Sequence, residues 1–170
     1  MKTILMTLLI ICATVSLCIA QKQKPKPDTS SGSTFEMTIV KDGKKTEVKY
    51  SQFETADGNA FDADRGRVTL FYGASNAKDD KSFSFNGWVP SGETGVFTLG
   101  DNRSGFSAMT SLIPSVPMFL PEQGGTIEIT NNPTKGGFVV GTFSGHCKVV
   151  NNAGTIEEYD ISGSFKLARR

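Results

Sequence analysis

Few side chains in this sequence are equipped for chemistry. The 170-residue chain has one histidine, His146, and beside it Cys147, one of three cysteines. A Cys–His pair makes a reactive thiolate only when the two side chains meet. Both residues fall in the alternating stretch 138–150, and neighbours on a strand point to opposite faces. His146 shares a parity with Ser144 and Lys148, and Cys147 with Val139 and Phe143. The expectation is an exposed histidine and a buried, inert thiol. One histidine and so few cysteines cannot assemble a Cys/His zinc site within one chain. Asp57, Asp62 and Asp64 in TADGNAFDADRGR are hard oxygen ligands of the kind calcium takes. Their spacing lacks the alternating acids, central glycine and distal glutamate of a calcium loop. Arg65 and Arg67 also offset their charge, so the stretch reads as a loop shaped by turn chemistry. Asp79-Asp80, between Lys78 and Lys81, reads as a solvated loop tip.

A glycosidase needs two carboxylates set across a cleft. Seventeen acids supply many pairs, and nothing selects one. The chain has no nucleophile elbow, phosphate loop, dinucleotide fingerprint or zinc-protease helix motif. The expectation is therefore a non-enzyme with no cofactor and no metal. Asn102-Arg103-Ser104 forms a glycosylation sequon.

The remaining candidates are aromatic. Trp88 has the opposite parity to Phe83 and Phe85, and Phe71 the opposite parity to Leu70 and Tyr72. If both sheet faces are covered, Phe71 and Trp88 are core residues. If one face is open, they form a ligand-binding surface, because exposed aromatic patches mark interaction sites.

The elements that must carry these residues are strands. From Thr34 the apolar period is two. Phe35, Met37 and Ile39 alternate with polar neighbours; Asp42-Gly43 supplies a hairpin turn, and 46–53 reads as the return strand. Further strands are read at 67–72, 82–88, 95–99, 126–130, 138–150 and 155–168. Between them, 104–121 is apolar but broken by Pro114, Pro117 and Pro121. It reads as one helical turn near 108–112 and then an irregular crossing. One apolar and one polar face per strand is the mark of antiparallel sheet. The expected fold is all-β: a single antiparallel meander of eight or nine strands, forming a β-sandwich or a flattened lipocalin-like barrel.

Residues 1–20 open with Lys2, run apolar from Ile4 to Cys12 and end Cys18-Ile19-Ala20. This reads as a signal peptide cleaved before Gln21, and its apolar run is too short to span a bilayer. A lipoprotein anchored through Cys18 is the alternative, although Leu17 stands where a small residue is usual. After cleavage, Cys147 alone remains, so no internal disulfide forms, and basic and acidic residues balance. Residues 21–33 carry lysines, prolines and serines with no core-forming side chain, and read as a flexible tether. The domain is residues 34–170. A net charge of +1 offers no electrostatic footprint for nucleic acid.

Three stretches carry a resemblance: Gly124-Gly125-Thr126-Ile127-Glu128-Ile129-Thr130, Val140-Gly141-Thr142-Phe143-Ser144-Gly145 and Ile161-Ser162-Gly163-Ser164-Phe165-Lys166. With Thr94–Leu99 upstream, they resemble a secreted, uncharacterised all-β domain family found mainly in Bacteroidota. The resemblance spans residues 83–168 and implies an all-β fold and a secreted or periplasmic, cell-envelope location. It implies no catalytic residues. The expected function is an exported, non-catalytic binding or structural module of the cell envelope, with a protein, a glycan or a small apolar ligand as partner. A lipocalin-like carrier of a small apolar ligand, lidded by residues 113–120, is the second expectation. A carboxylate-dependent hydrolase is the third.

Overall fold

The computed structural model describes residues 32–63, 65–116 and 118–170. The leader, residues 21–31 of the tether and Asp64 lie outside the described residues. Ten strands form one curled sheet: β1 (Thr34–Lys41), β2 (Lys44–Lys49), β3 (Thr55–Ala63), β4 (Arg67–Asn76), β5 (Lys81–Pro90), β6 (Gly95–Thr98), β7 (Gly105–Thr110), β8 (Thr126–Asn131), β9 (Phe138–Val150) and β10 (Ile156–Arg169). Eight of them follow one path, β6-β8-β9-β10-β3-β4-β5-β7, and the β1–β2 hairpin branches from β10. The all-β expectation holds, and the curled open sheet is half of a barrel.

Local chemistry accounts for most elements. Asp42 and Gly43 both take positive φ (50° and 74°) at the β1–β2 turn, as the favoured two-residue hairpin requires. The return strand ends earlier than its pattern suggests. Tyr50–Gln52 form a 3-10 turn, and Phe53 then drops into the core. The stretch read as a loop around Asp57 and Asp62 is strand β3, paired along its whole length with β4. The helical turn expected at 108–112 is also corrected. Ala108 to Thr110 belong to β7, where Phe106, Ala108 and Thr110 point inward, a period of two that a helix cannot present.

The branch point explains why the tether ends where it does. The outer edge of β10 pairs with β1 from Asp160 to Lys166. It then switches to β3 at Ala168 and Arg169, the one parallel contact in the sheet. Ser33 fills the fork and is buried. Its hydroxyl accepts the Ala168 N–H at 3.0 Å and donates to the Gly58 carbonyl. Ser33 is therefore part of the domain and not of a free tether.

The interior is built from glycine–aromatic pairs. Gly163 faces Phe143 and Gly141 faces Phe165 across β9 and β10, Gly58 faces Tyr72, and Gly87 faces Phe106. A Cβ at Gly58 would stand 2.5 Å from the Tyr72 ring, and one at Gly141 2.8 Å from the Phe165 ring. Each ring lies over the glycine opposite. The reciprocal Gly-x-Phe strands thus interlock, so the short motifs behind the family resemblance are a packing device. Phe35 then reaches across the interior to Tyr72, Phe83, Phe85 and Phe143, at centroid distances of 4.8–5.6 Å. Centroids at this spacing are those of rings in direct contact.

Candidate functional site

The curled sheet leaves an outer face on β3, β4, β5 and β7, and its rows follow from the register. One row across the strands is Phe61, Thr69, Trp88 and Gly105; the next is Asn59, Phe71, Asn86 and Ser107; the third is Asp57, Gly73, Ser84 and Met109. Phe61 is 43% exposed, and Phe71 and Trp88 are 38% exposed each. Both aromatic residues singled out from the sequence therefore lie on an open face, and β3 adds a third ring beside them. Phe61 escaped the sequence reading because its segment was taken for a loop.

Two glycines let these rings lie along the sheet. A Cβ at Gly105 would stand 2.1 Å from Trp88 Cη2, so the six-membered ring of the indole occupies that space. A Cβ at Gly73 would meet Phe71 Cζ at 3.2 Å. Charge sits only at the margins. Asp57 lies 3.7 Å from the Arg170 guanidinium, and the Arg67 guanidinium donates to the Asn102 carbonyl. Between them stand hydroxyl and amide side chains: Thr69, Asn86, Asn59, Ser84 and Ser107.

The other sequence candidates do not converge. His146 and Cys147 point apart as expected. The thiol is buried, and burial pushes its pKa up to about 12. His146 lies on the outer face of β9, with Nδ1 2.9 Å from Asp160 and Nε2 3.8 Å from Glu158. Asp57 and Asp62 stand five residues apart on one strand, roughly 17 Å. Asp62 is committed elsewhere. It accepts from the buried Arg169 at 2.5 Å and from Ser91, and the Arg169 hydrogen bond holds its carboxyl below the usual carboxylate range. Asp64 lies outside the described residues. Among the described residues no three His, Cys, Asp or Glu side chains group as metal ligands do.

Acids are present in the surface groove of about 480 Å³ beside the β4–β5 turn. There Glu54 is held by Lys78 at 3.4 Å and Asp79 by Lys81 at 2.9 Å. The sequon asparagine, Asn102, is exposed in the β6–β7 turn at φ 61°, whereas Ser104 is buried with its hydroxyl on the Thr98 carbonyl.

The 113–120 crossing, continued to Glu122, bridges β7, β9 and the β9–β10 turn. Ala108 and Phe119 exchange two backbone hydrogen bonds at 3.0 and 2.7 Å. The Glu122 N–H reaches the His146 carbonyl, and the Asn152 N–H reaches the Ser115 carbonyl. Val116 and Phe119 are buried, and Phe119 meets Tyr159 edge-on at 5.2 Å. The segment acts as a staple laid against β7 and β9.

No family model, curated protein or solved structure matches this chain.

Proposed function

We propose that this chain is an exported, non-catalytic binding module of the cell envelope, and that it binds through the outer face of β3–β5. The observation that carries the reading is the placement of Phe61, Phe71 and Trp88. Three large rings share one otherwise neutral sheet face, each more than a third exposed. Exposed aromatic clusters of this kind mark interaction sites, and buried aromatic anchors dominate binding energies. What favours surface binding over a lipocalin-like carrier is the packed interior. A ligand held inside would displace the cluster of Phe35, Phe85, Phe106 and Phe143, whose centroids lie 5.0–5.7 Å apart along the Phe35–Phe85, Phe35–Phe143, Phe85–Phe106, Phe85–Phe143 and Phe106–Phe143 contacts.

Retention in the native host tests the proposal. The wild-type chain is compared with the triple variant Phe61→Ser/Phe71→Ser/Trp88→Ser, after matched circular dichroism shows that both are folded. The expected result is a cleaved N-terminus at Gln21 in both. The wild type is retained with the envelope, and the variant is released to the soluble fraction. Equal retention of the two folded proteins refutes a binding role for this face.

A further inference from the structure

Resting on that reading, we infer that the outer face of β3–β5 takes a neutral glycan chain. Its layout interleaves rings and hydrogen-bonding groups on the outer face of the curled sheet. Phe61 and Trp88 share one row on strands two apart, with Thr69 between them. Neighbouring strands lie about 4.8 Å apart, so the backbones of Phe61 and Trp88 are roughly 10 Å apart, and the Trp88 ring leans on across Gly105, which spreads the rings over a length that only several linked sugar units can cover. Phe71 stands in the next row on the middle strand. The three rings form a triangle that supports more than one sugar.

The glycines under the rings set their attitude. Trp88 lies over Gly105 and Phe71 over Gly73, so both rings lie down along the sheet and present area to solvent. A pyranose has one face of C–H groups and a rim of hydroxyls. The C–H face packs on such rings, and the rim needs donors and acceptors beside them. Asn86, Thr69, Ser84 and Ser107 are the outward neighbours of the rings, with Met109 exposed beside Ser84 and the Asn59 amide turned to Asp57. Amides and hydroxyls both donate and accept, as a rim of hydroxyls requires.

The same groups argue against other occupants. An apolar protein surface or a lipid tail laid here would bury these amides and hydroxyls without partners, and each such loss is costly. An anionic polymer needs several cations to displace its counterions. The centre of the face offers none, and Arg67 at its margin is turned to the Asn102 carbonyl. A neutral polyol chain satisfies both constraints.

The chain contains a single tryptophan, and it lies on this face, so intrinsic fluorescence reports directly on occupancy. The mature protein is titrated with cellohexaose, mannohexaose and xylohexaose, and separately with hyaluronan hexasaccharide and phosphatidylcholine vesicles. The expected result is a saturable emission change with at least one neutral hexasaccharide. Phe61→Ala and Phe71→Ala should weaken it by about tenfold or more, the size of a hot-spot loss, whereas Val150→Ser, on the β9–β10 hairpin, should leave it unchanged. No response to any neutral hexasaccharide overturns the inference. So does an equal response to hyaluronan or to the vesicles. If glycans fail while the triple serine variant still loses envelope retention, the face binds something other than a glycan; if retention is also unaffected, the binding reading itself falls.

Discussion

Gly163→Ala is the sharpest test of the interlocked core. Gly163 faces inward on β10, between Met37 of β1 and Phe143 of β9. A Cβ there would stand 2.3 Å from the Glu36 carbonyl oxygen and 2.5 Å from Phe143 Cζ. Favourable non-bonded contacts lie near 3.5–4.0 Å, so both overlaps exceed about 1 Å. Neither neighbour can yield freely. Glu36 is backbone of a strand paired on both edges, and the Phe143 ring is hemmed in by Phe35, Phe85 and Phe106. Overpacking costs about 1–3 kcal/mol, and a clash with paired backbone belongs at the upper end. Loss of glycine freedom in the unfolded chain returns about 0.4–1 kcal/mol. The net expectation is a loss of about 2–3 kcal/mol. At about 2–4 °C per kcal/mol for a domain of this size, the Tm falls by about 4–12 °C. Urea unfolding with a shared m-value measures it. Gly73→Ala is the internal control, because its Cβ meets only the tip of the exposed Phe71 ring at 3.2 Å. That variant should be neutral or up to about 1 kcal/mol more stable. Adding Phe143→Leu to Gly163→Ala relieves the ring overlap but leaves the carbonyl overlap, so only part of the loss returns. A Gly163→Ala protein within about 0.5 kcal/mol of wild type, below the scale of ordinary overpacking, would refute the close approach of β1 to β10.

Glu157 accepts hydrogen bonds from Lys41, Tyr159 and Asn151. Lys41 contributes most to holding its pKa down, at about 2. A carboxyl depressed in the folded state adds stability above its unfolded pKa near 4.5, and that stability drains away as pH falls through about 2. Wild-type unfolding midpoints should therefore drop between pH 5 and 2 more steeply than those of Glu157→Gln. Cys147 should resist a thiol reagent at pH 8 in the folded protein and react readily in denaturant, because burial both shields the thiol and suppresses its thiolate. Gly105→Ala should lift the Trp88 ring off the sheet and red-shift its emission while the far-ultraviolet dichroism stays unchanged. Asp62→Ala should lower the Tm more than Arg169→Met does, because removing the acid strands a buried guanidinium, whereas methionine fills the same space without a charge.

The period-two strands β1, β4, β5, β9 and β10 were legible because their inward positions are large and apolar. Strand β3 was not, and packing is the reason. Its inward residues are Ala56, Gly58 and Ala60, small because Tyr72 and Leu167 already fill the space above Gly58. A strand that supplies room instead of bulk leaves no hydrophobic alternation to read, and its aspartates then look like turn residues. Phe61 was lost from the candidate face with it. Strand β7 was obscured by the prolines that follow it, although Phe106, Ala108 and Thr110 do alternate. Phe71 and Trp88 were legible through parity alone. Their exposure depended on which sheet face is covered, a property of the whole curl that no local pattern carries.

The fork at Ser33 bears on how the chain folds. Ser33 bonds to Ala168, 135 residues away, and β1 pairs with β10. The Phe35 ring at the centre of the core therefore gains its β10 neighbour only once residues 160–166 are in place. Such distant closure makes folding slow. Loss of β10 would free β1, β3 and β9 together, so the sheet comes apart from its branch point.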